Sequence, residues 1–306
     1  MDMVTDRGIS SRPRTPVRID GSHGEGGGQI LRTALALSAI TGRSLELFHI
    51  RQGRPKPGLG NQHLATVRAM VQLTHAAVEG DQLGSTRLCF TPDGLRSGQF
   101  TWDVAEERGS AGSVTLVAQA VLPALCAARA RSTVSLQGGT HVPWSPPVHY
   151  LQAVLLPTLR VLGVNATVEL RRAGWYPKGG GDIRLDIDPS GPIQPQQWLT
   201  RGHLRQITGW SLVSNLPWDI ADRQRQAMVR RLHGQPEPQI ECVALPSSGQ
   251  GTCVVLVAHT DRAVAGFASL GKPGKPAEQV GREAADALLA YLDTEAVLDP
   301  HLADQV

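Results

Sequence analysis

Two short stretches near the N-terminus combine residue types that could hold a phosphate group beside acid–base groups. In the first, residues 20–32, the carboxylate of Glu25 lies inside a run of glycines that leads into an apolar, helix-like segment. Glycines let backbone N–H groups approach a phosphate closely, and a helix N-terminus adds the positive end of its dipole. Clustered glycines alone more often make a tight turn. The inserted Glu25, with Arg32 one helical turn further on, favours a ligand site.

The second stretch, residues 50–63, carries three cations and a Gln-His pair: Arg51, Arg54, Lys56, Gln62 and His63. Guanidinium groups offer planar forks that match phosphate oxygens. A charge run is usually a solvated loop. This one lies between two apolar elements and precedes a Gln-His pair, so we interpret it as a phosphate clamp. Taken alone, His63 could equally cap its helix.

The elements that must position these residues recur in the same order. Apolar periodicity predicts strand, helix, strand, helix and two strands over residues 17–91, and the same order over residues 99–188, including a helix at 148–162. Two such units predict an internal repeat. We therefore expect an α/β (α+β) fold in which β-α-β-α-β-β units form a large domain. Each of the two phosphate-type stretches then leads into a helix.

The pattern changes after residue 188. Residues 189–197 are rich in Pro, Gln and Gly and predict a linker, and residues 205–259 predict a β-α-β-β insert domain whose helix is capped by Asp219. A strand at 263–270 and a helix at 277–292 predict an unfinished third repeat. We expect a disordered lead-in at 1–16, the large domain at 17–188, the insert at 189–262 and the incomplete repeat at 263–306.

Composition excludes several protein classes. The net charge of +3 on 306 residues is too weak to argue for nucleic acid binding by itself. The four cysteines show no zinc-ligand spacing and predict reduced thiols in a cytoplasmic protein. Apolar stretches are too short to span a membrane, and residues 1–16 lack the apolar core of a secretory signal.

The two stretches resemble the RNA 3'-terminal phosphate cyclase family. Gly-Glu-Gly-Gly-Gly-Gln-Ile-Leu-Arg at 24–32 and Ile-Arg-Gln-Gly-Arg-Pro-Lys-Pro-Gly-Leu at 50–59 are similar to its N-terminal signature. Further similar segments follow in the family's order, at residues 109–113, 119, 138–140, 145–147, 174–181 and 301–305. The resemblance extends from about residue 17 to the last residue.

This resemblance implies an enzyme that uses ATP and a divalent metal (Mg or Mn) to convert an RNA 3'-phosphate into a 2',3'-cyclic phosphate. The route passes through a protein-AMP and an RNA-adenylate intermediate. The resemblance implies catalytic roles for Glu25, Arg51, Arg54 and His63, and metal binding by Glu25 and Asp304. It implies phosphate or RNA binding by Arg32, Arg51, Arg54, Lys56 and Gln62. It implies ATP binding by Gln119, His301, Leu302, Ala303, Asp304 and Gln305.

The end of the sequence departs from the family pattern. The family's nucleophilic histidine lies a short way downstream of the His-Leu-Ala-Asp-Gln segment, and the sequence stops at Val306. We therefore expect a C-terminally truncated cyclase. One alternative is a catalytically inactive relative that binds RNA ends or takes part in ribosome assembly, although the full set of site residues argues against it. Another is an enolpyruvyl transferase on a similar repeated fold, against which the segments 24–29 and 301–305 argue.

Overall fold

The structure, a computed structural model, describes residues 15–24, 26–104 and 111–306, and two of its sheets repeat the same topology. The first sheet contains β1 (Val17–Asp20), β2 (Leu45–Phe48), β3 (Ala77–Glu79) and β4 (Leu88–Thr91), in the order β1-β2-β4-β3. The second contains β5 (Gln99–Asp103), β6 (Ser132–Gly138), β7 (Ala166–Arg172) and β8 (Gly181–Ile187), in the order β5-β6-β8-β7. In both, the first two strands are parallel and the other pairings antiparallel. The predicted α+β repeat is confirmed.

Three helices connect these strands and pack against one another: α1 (Gly28–Thr41), α2 (Asn61–Thr74) and α3 (Val114–Cys126). Parallel strands need a crossover connection, which α1 supplies for the first sheet and α3 for the second. Leu35, Met70 and Val121 are fully buried in the shared core. Burying each such side chain contributes about 1.5–3 kcal/mol, so packing holds the three helices in a fixed arrangement.

The helical segment after β6 runs without a break over residues 148–161, close to the helix expected at 148–162, and a π-helical stretch lies inside it. It consists of α4 (Val148–Tyr150), a π-helical turn (Leu151–Leu155) and α5 (Leu156–Val161). Pro157 lies in the first turn of α5 and has no N–H to donate to the preceding turn. A widened turn before it accommodates that missing hydrogen bond.

The third sheet contains β9 (Leu204–Ser214), β10 (Gln239–Ala244), β11 (Gly251–Thr260) and β12 (Val264–Leu270), in the order β10-β9-β11-β12. Helices α6 (Trp218–Arg231) and α7 (Ala277–Leu292) pack against each other. They share a core with this sheet that includes Met228, Val254 and Leu288. Because β12 pairs with β11, the boundary expected at 262/263 passes through a sheet; the domain division stays a prediction.

The start of α6 differs from the expected cap at Asp219. The N-cap position is Pro217 and makes no side-chain hydrogen bond, so Asp219 lies inside the first turn. Its carboxylate instead lies 3.3 Å from Arg223 Nη1, one turn further along the helix. The preference of helix N-caps for Asp, Asn, Ser and Thr therefore placed the start of α6 two residues too late.

Two general features accompany this fold. All four cysteines are free thiols. Within the described ranges, no helix combines the length and the apolar character needed to cross a membrane.

Candidate active site

The N-termini of α1, α2 and α3 converge, although their starting residues are far apart in the sequence. A Cβ placed on Gly28, at the start of α1, would overlap His63 Nε2 in the first turn of α2. Beside it, Gln62 Oε1 accepts a hydrogen bond of 3.0 Å from the backbone N–H of Ser113, the N-cap of α3. The positive ends of three helix dipoles therefore face one region.

Arg32, Arg51, Arg54 and His63, which we call the arginine cluster, surround this point. A Cβ added to Gly27 would lie 3.3 Å from Arg54 Nη2, and a Cβ added to Gly28 would lie 3.0 Å from Arg32 Nη1. Arg51 Nη1 donates a hydrogen bond of 2.9 Å to the carbonyl of Gly58 and lies beside Gly60. Cations gathered at positive helix ends attract an anion, and glycine backbones leave room for one.

Burial and mutual repulsion set the protonation states of the cluster. Burial, and to a smaller extent the positive charges of Arg51 and Arg32, lower the pKa of His63 to about 4. Burial also lowers the pKa of Arg32, to about 10, which leaves it charged at neutral pH. The pKa of Arg51 is lowered by burial and then by the charge of Arg54. At neutral pH the cluster therefore carries three guanidinium charges and one neutral imidazole.

The tautomer of His63 follows from one backbone contact. The N–H of Gly60 lies 3.2 Å from His63 Nδ1, and a backbone N–H can only donate. Nδ1 is therefore the acceptor, and the proton of the neutral ring belongs on Nε2. Nε2 is the nitrogen that faces Gly28. His63 thus presents a neutral N–H donor toward the converging helix ends.

The remaining residues predicted for phosphate binding and catalysis, Lys56, Gln62 and Glu25, do not share one environment. Lys56 is exposed, in the same β2–α2 connection that carries Arg51 and Arg54. Gln62 contacts α3 through its side-chain oxygen, as described above. Glu25, predicted as a catalytic and metal-binding residue, lies outside the described residues, and its roles stay predictions.

The residues predicted to bind ATP form a second group, close to the first. Gln119 Nε2, in α3, donates a hydrogen bond of 2.6 Å to Gln305 Oε1. Gln29 Nε2, in the first turn of α1, lies 3.3 Å from the carbonyl of Asp304. The segment from His301 to Gln305 therefore contacts both α1 and α3. Their N-termini help to form the region predicted to bind phosphate (the phosphate region), which brings the two predicted groups onto shared helices.

A buried carboxylate that the sequence analysis missed holds this segment in place. Asp299 is fully buried and caps the short helix α8 (Pro300–Ala303) by accepting from the N–H groups of His301 and Leu302, each at 3.0 Å. It also accepts from the Tyr150 hydroxyl at 2.9 Å and from the Gly266 N–H at 3.0 Å. The Asp-Pro pair is a typical helix-start signal, but the sequence shows no sign of the other two partners.

Asp304 is the described carboxylate of the predicted metal site. Among the residues described here, no three His, Cys, Asp or Glu side chains lie close enough together to hold a metal ion. Asp304 is an exposed carboxylate beside the Gln119–Gln305 contact. Magnesium is commonly bound by one or two carboxylates together with substrate phosphates and water, rather than by a cage of protein ligands. A single carboxylate beside the residues predicted to bind ATP fits that mode.

Comparison with known proteins gives the family. Residues 23–306 match the family model described as RNA 3'-terminal phosphate cyclase. A relative of that name from Methylococcus capsulatus is 47% identical over 297 residues, which cover 95% of this chain and 82% of the relative. Relatives of the same name from Gloeothece citriformis and Pyrococcus furiosus are 44% and 43% identical, and each alignment covers 94% of this chain and 83% of the relative. The chain belongs to the RNA 3'-terminal phosphate cyclase family.

Proposed function

We propose that the arginine cluster binds the 3'-phosphate of an RNA, and that Gln119 together with residues 301–305 binds ATP. The observation that carries this proposal is the gathering of three guanidinium groups where three helix N-termini converge. A dianionic phosphate monoester is the group on an RNA end with the most charge to offer such a site. The hydrogen bond between Gln119 and Gln305 supports the ATP assignment, because it unites two segments that the family resemblance connects with the nucleotide.

The proposed residues act mainly by holding and neutralising phosphates. The 2'-hydroxyl already lies beside the 3'-phosphorus that it attacks, so ring closure needs little additional positioning of the nucleophile. Arg32, Arg51 and Arg54 stabilise the charge that develops on the phosphate oxygens. The Nε2–H of His63 donates a hydrogen bond to the same phosphate without adding charge. ATP, when bound, supplies the AMP that activates the phosphate, with release of pyrophosphate, and AMP then leaves when the ring closes.

A divalent metal belongs to the same proposal. Glu25 and Asp304 are the carboxylates that would hold it, together with phosphate oxygens of the nucleotide. Mg or Mn bound there supplies further neutralisation of phosphate charge. We also propose that the protein works in the cytoplasm, which the free cysteines support.

The test compares two arginine variants by fluorescence anisotropy, using one RNA oligonucleotide that ends either in a 3'-phosphate or in a 3'-hydroxyl. Arg54→Ala removes a charge from the cluster. Arg43→Ala is the matched control, because Arg43 follows the opposite end of α1, about 20 Å away at 1.5 Å per residue. A charged hydrogen bond contributes about 1.5–3 kcal/mol, so Arg54→Ala should weaken binding of the 3'-phosphate RNA about 10- to 150-fold.

The control and the second RNA make the result specific. Arg43→Ala should bind both RNAs as the unchanged protein does, and the 3'-hydroxyl RNA should bind Arg54→Ala and Arg43→Ala equally. If the unchanged protein does not prefer the 3'-phosphate end, or if Arg54→Ala retains that preference, the phosphate assignment is wrong.

A further inference from the structure

Trp144 is a large apolar side chain that the fold holds almost entirely in solvent. Its exposed fraction is 95%, the highest among the large hydrophobic residues that the structure describes. Its backbone has a φ of 59°, in the left-handed region that bulky side chains rarely adopt. Exposed apolar area and backbone strain both oppose stability. When they occur together at one residue they indicate a function there.

Hydrogen bonds hold the loop that carries Trp144, between β6 and α4, at residues before and after Trp144 in the chain. Thr115 Oγ1 donates a hydrogen bond of 2.8 Å to the carbonyl of Pro146. Ser145 Oγ donates one of 3.0 Å to the carbonyl of Val142, and the N–H of Val148 reaches the carbonyl of Thr140 at 3.2 Å. These bonds fix the backbone around Trp144, so the indole is presented from a defined loop.

The hydrogen bond between Thr115 and Pro146 places this loop at the N-terminal end of α3, which adjoins the phosphate region and is called its phosphate end. Thr115 is the second residue of α3 and follows Ser113, whose backbone N–H contacts Gln62. Gln62 precedes His63 of the arginine cluster in the first turn of α2. Gln119, which contacts Gln305, lies one helical turn beyond Thr115, further from that end. Trp144 is therefore held by the part of α3 that adjoins the phosphate region.

We propose that Trp144 is a stacking platform for the nucleobase at the 3' end of the RNA. The inference rests on the proposed function, because it takes the arginine cluster as the site of the RNA 3'-phosphate. Proteins that bind single-stranded RNA commonly stack unpaired bases on aromatic side chains, and every base offers a suitable face. An open indole at the phosphate end suits the end of a polymer that continues into solvent. The adenine of ATP instead belongs with Gln119 and Gln305.

The experiment measures binding of a 5'-labelled RNA with a 3'-phosphate by fluorescence anisotropy, using the full 306-residue chain. Trp144→Ala removes the platform, Trp144→Phe keeps an aromatic face, and Leu199→Ala is the control at another highly exposed apolar side chain. Replacing an aromatic side chain by alanine removes the stacking of the base and weakens binding about 5- to 150-fold. We expect Trp144→Ala to lose affinity in that range and Trp144→Phe to retain most of its affinity. Leu199→Ala should bind as the unchanged protein does.

A second RNA that ends in an abasic nucleotide with a 3'-phosphate identifies the contact. The unchanged protein should bind it as weakly as Trp144→Ala binds the intact RNA, and Trp144→Ala should lose nothing further, because the two changes remove one interaction. Binding of a fluorescent ATP analogue should stay within twofold. Equal affinity of Trp144→Ala and the unchanged protein for the intact RNA would overturn the inference. It would also be overturned if Trp144→Ala lost the same affinity for the intact RNA and for the abasic RNA, or if it lost affinity for the ATP analogue alone. If the unchanged protein does not prefer 3'-phosphate over 3'-hydroxyl ends, the proposed function itself has failed.

Discussion

The substitution Gly28→Ala separates the demands of the helix from those of the site. Gly28 is the first residue of α1, and its backbone lies in the ordinary range of φ. Alanine forms helix better than glycine, so α1 alone would gain up to about 1 kcal/mol. The added Cβ, however, would overlap His63 Nε2 and lie 3.0 Å from Arg32 Nη1. Both side chains must move away from the position they occupy in the arginine cluster.

The expected cost to binding follows from the contacts that are displaced. Losing one charged hydrogen bond to a phosphate costs about 1.5–3 kcal/mol, which is about 10- to 150-fold in Kd for an RNA with a 3'-phosphate. Anisotropy titration measures this change. Moving His63 also weakens the hydrogen bond that its Nδ1 accepts from the Gly60 N–H, which offsets the gain in helix propensity, so thermal unfolding should show a Tm close to that of the unchanged protein. The expected pattern is therefore weak phosphate binding by a protein that still folds.

Gly53→Ala is the matched control for this substitution. Gly53 lies in the β2–α2 connection between Arg51 and Arg54, and a Cβ there would meet no atom within 4 Å. It should bind the RNA normally. If Gly28→Ala also binds within twofold of the unchanged protein, the positions of His63 and Arg32 do not matter for phosphate recognition, and the reasoning fails.

Two further predictions follow. The His63 ring should titrate near pH 4 by NMR; since its usual pKa is 6.5, the unfolded chain takes up a proton that the folded chain refuses, and His63 lowers stability as pH falls from about 6.5 to 4. A titration midpoint above pH 6 would contradict the buried, Arg-flanked environment. Asp299→Asn should lower the free energy of unfolding by about 1–3 kcal/mol, because its amide turns N–H groups toward the donors that Asp299 now satisfies. Urea unfolding measures this loss, and a change below about 0.5 kcal/mol would show that the carboxylate does not hold the segment.

Local patterns in the sequence were sufficient for the elements and for the repeat. Strand β12 and helix α7 lie within a residue of their predicted bounds, because apolar residues at periods of two and 3.6 mark buried faces whatever the rest of the fold does. The equal order of elements in the two units predicted an internal repeat, and the two sheets built from these units have the same topology. The glycine and arginine stretches could be placed at helix starts for the same reason, since a helix start depends on neighbouring residues.

Local patterns do not indicate a partner that is distant in the sequence. The pairing of β12 with β11 extends the third sheet beyond the boundary expected at residue 262, because a strand's partners depend on backbone hydrogen bonds that composition does not mark. The Asp299–Tyr150 hydrogen bond joins residues 149 positions apart, and Gln119–Gln305 joins residues 186 positions apart. No periodicity within either segment indicates such a contact.

The sequence by itself determined the family resemblance, the repeated units and the residue types that could hold a phosphate. Only the tertiary structure brought the N-termini of α1, α2 and α3 together, which turned separate arginines into one cluster and lowered the pKa of His63. The physical reason is that dipoles and charges act through space over a few ångströms. Their effect depends on how the buried faces of the three helices pack, and that packing is a property of the whole core.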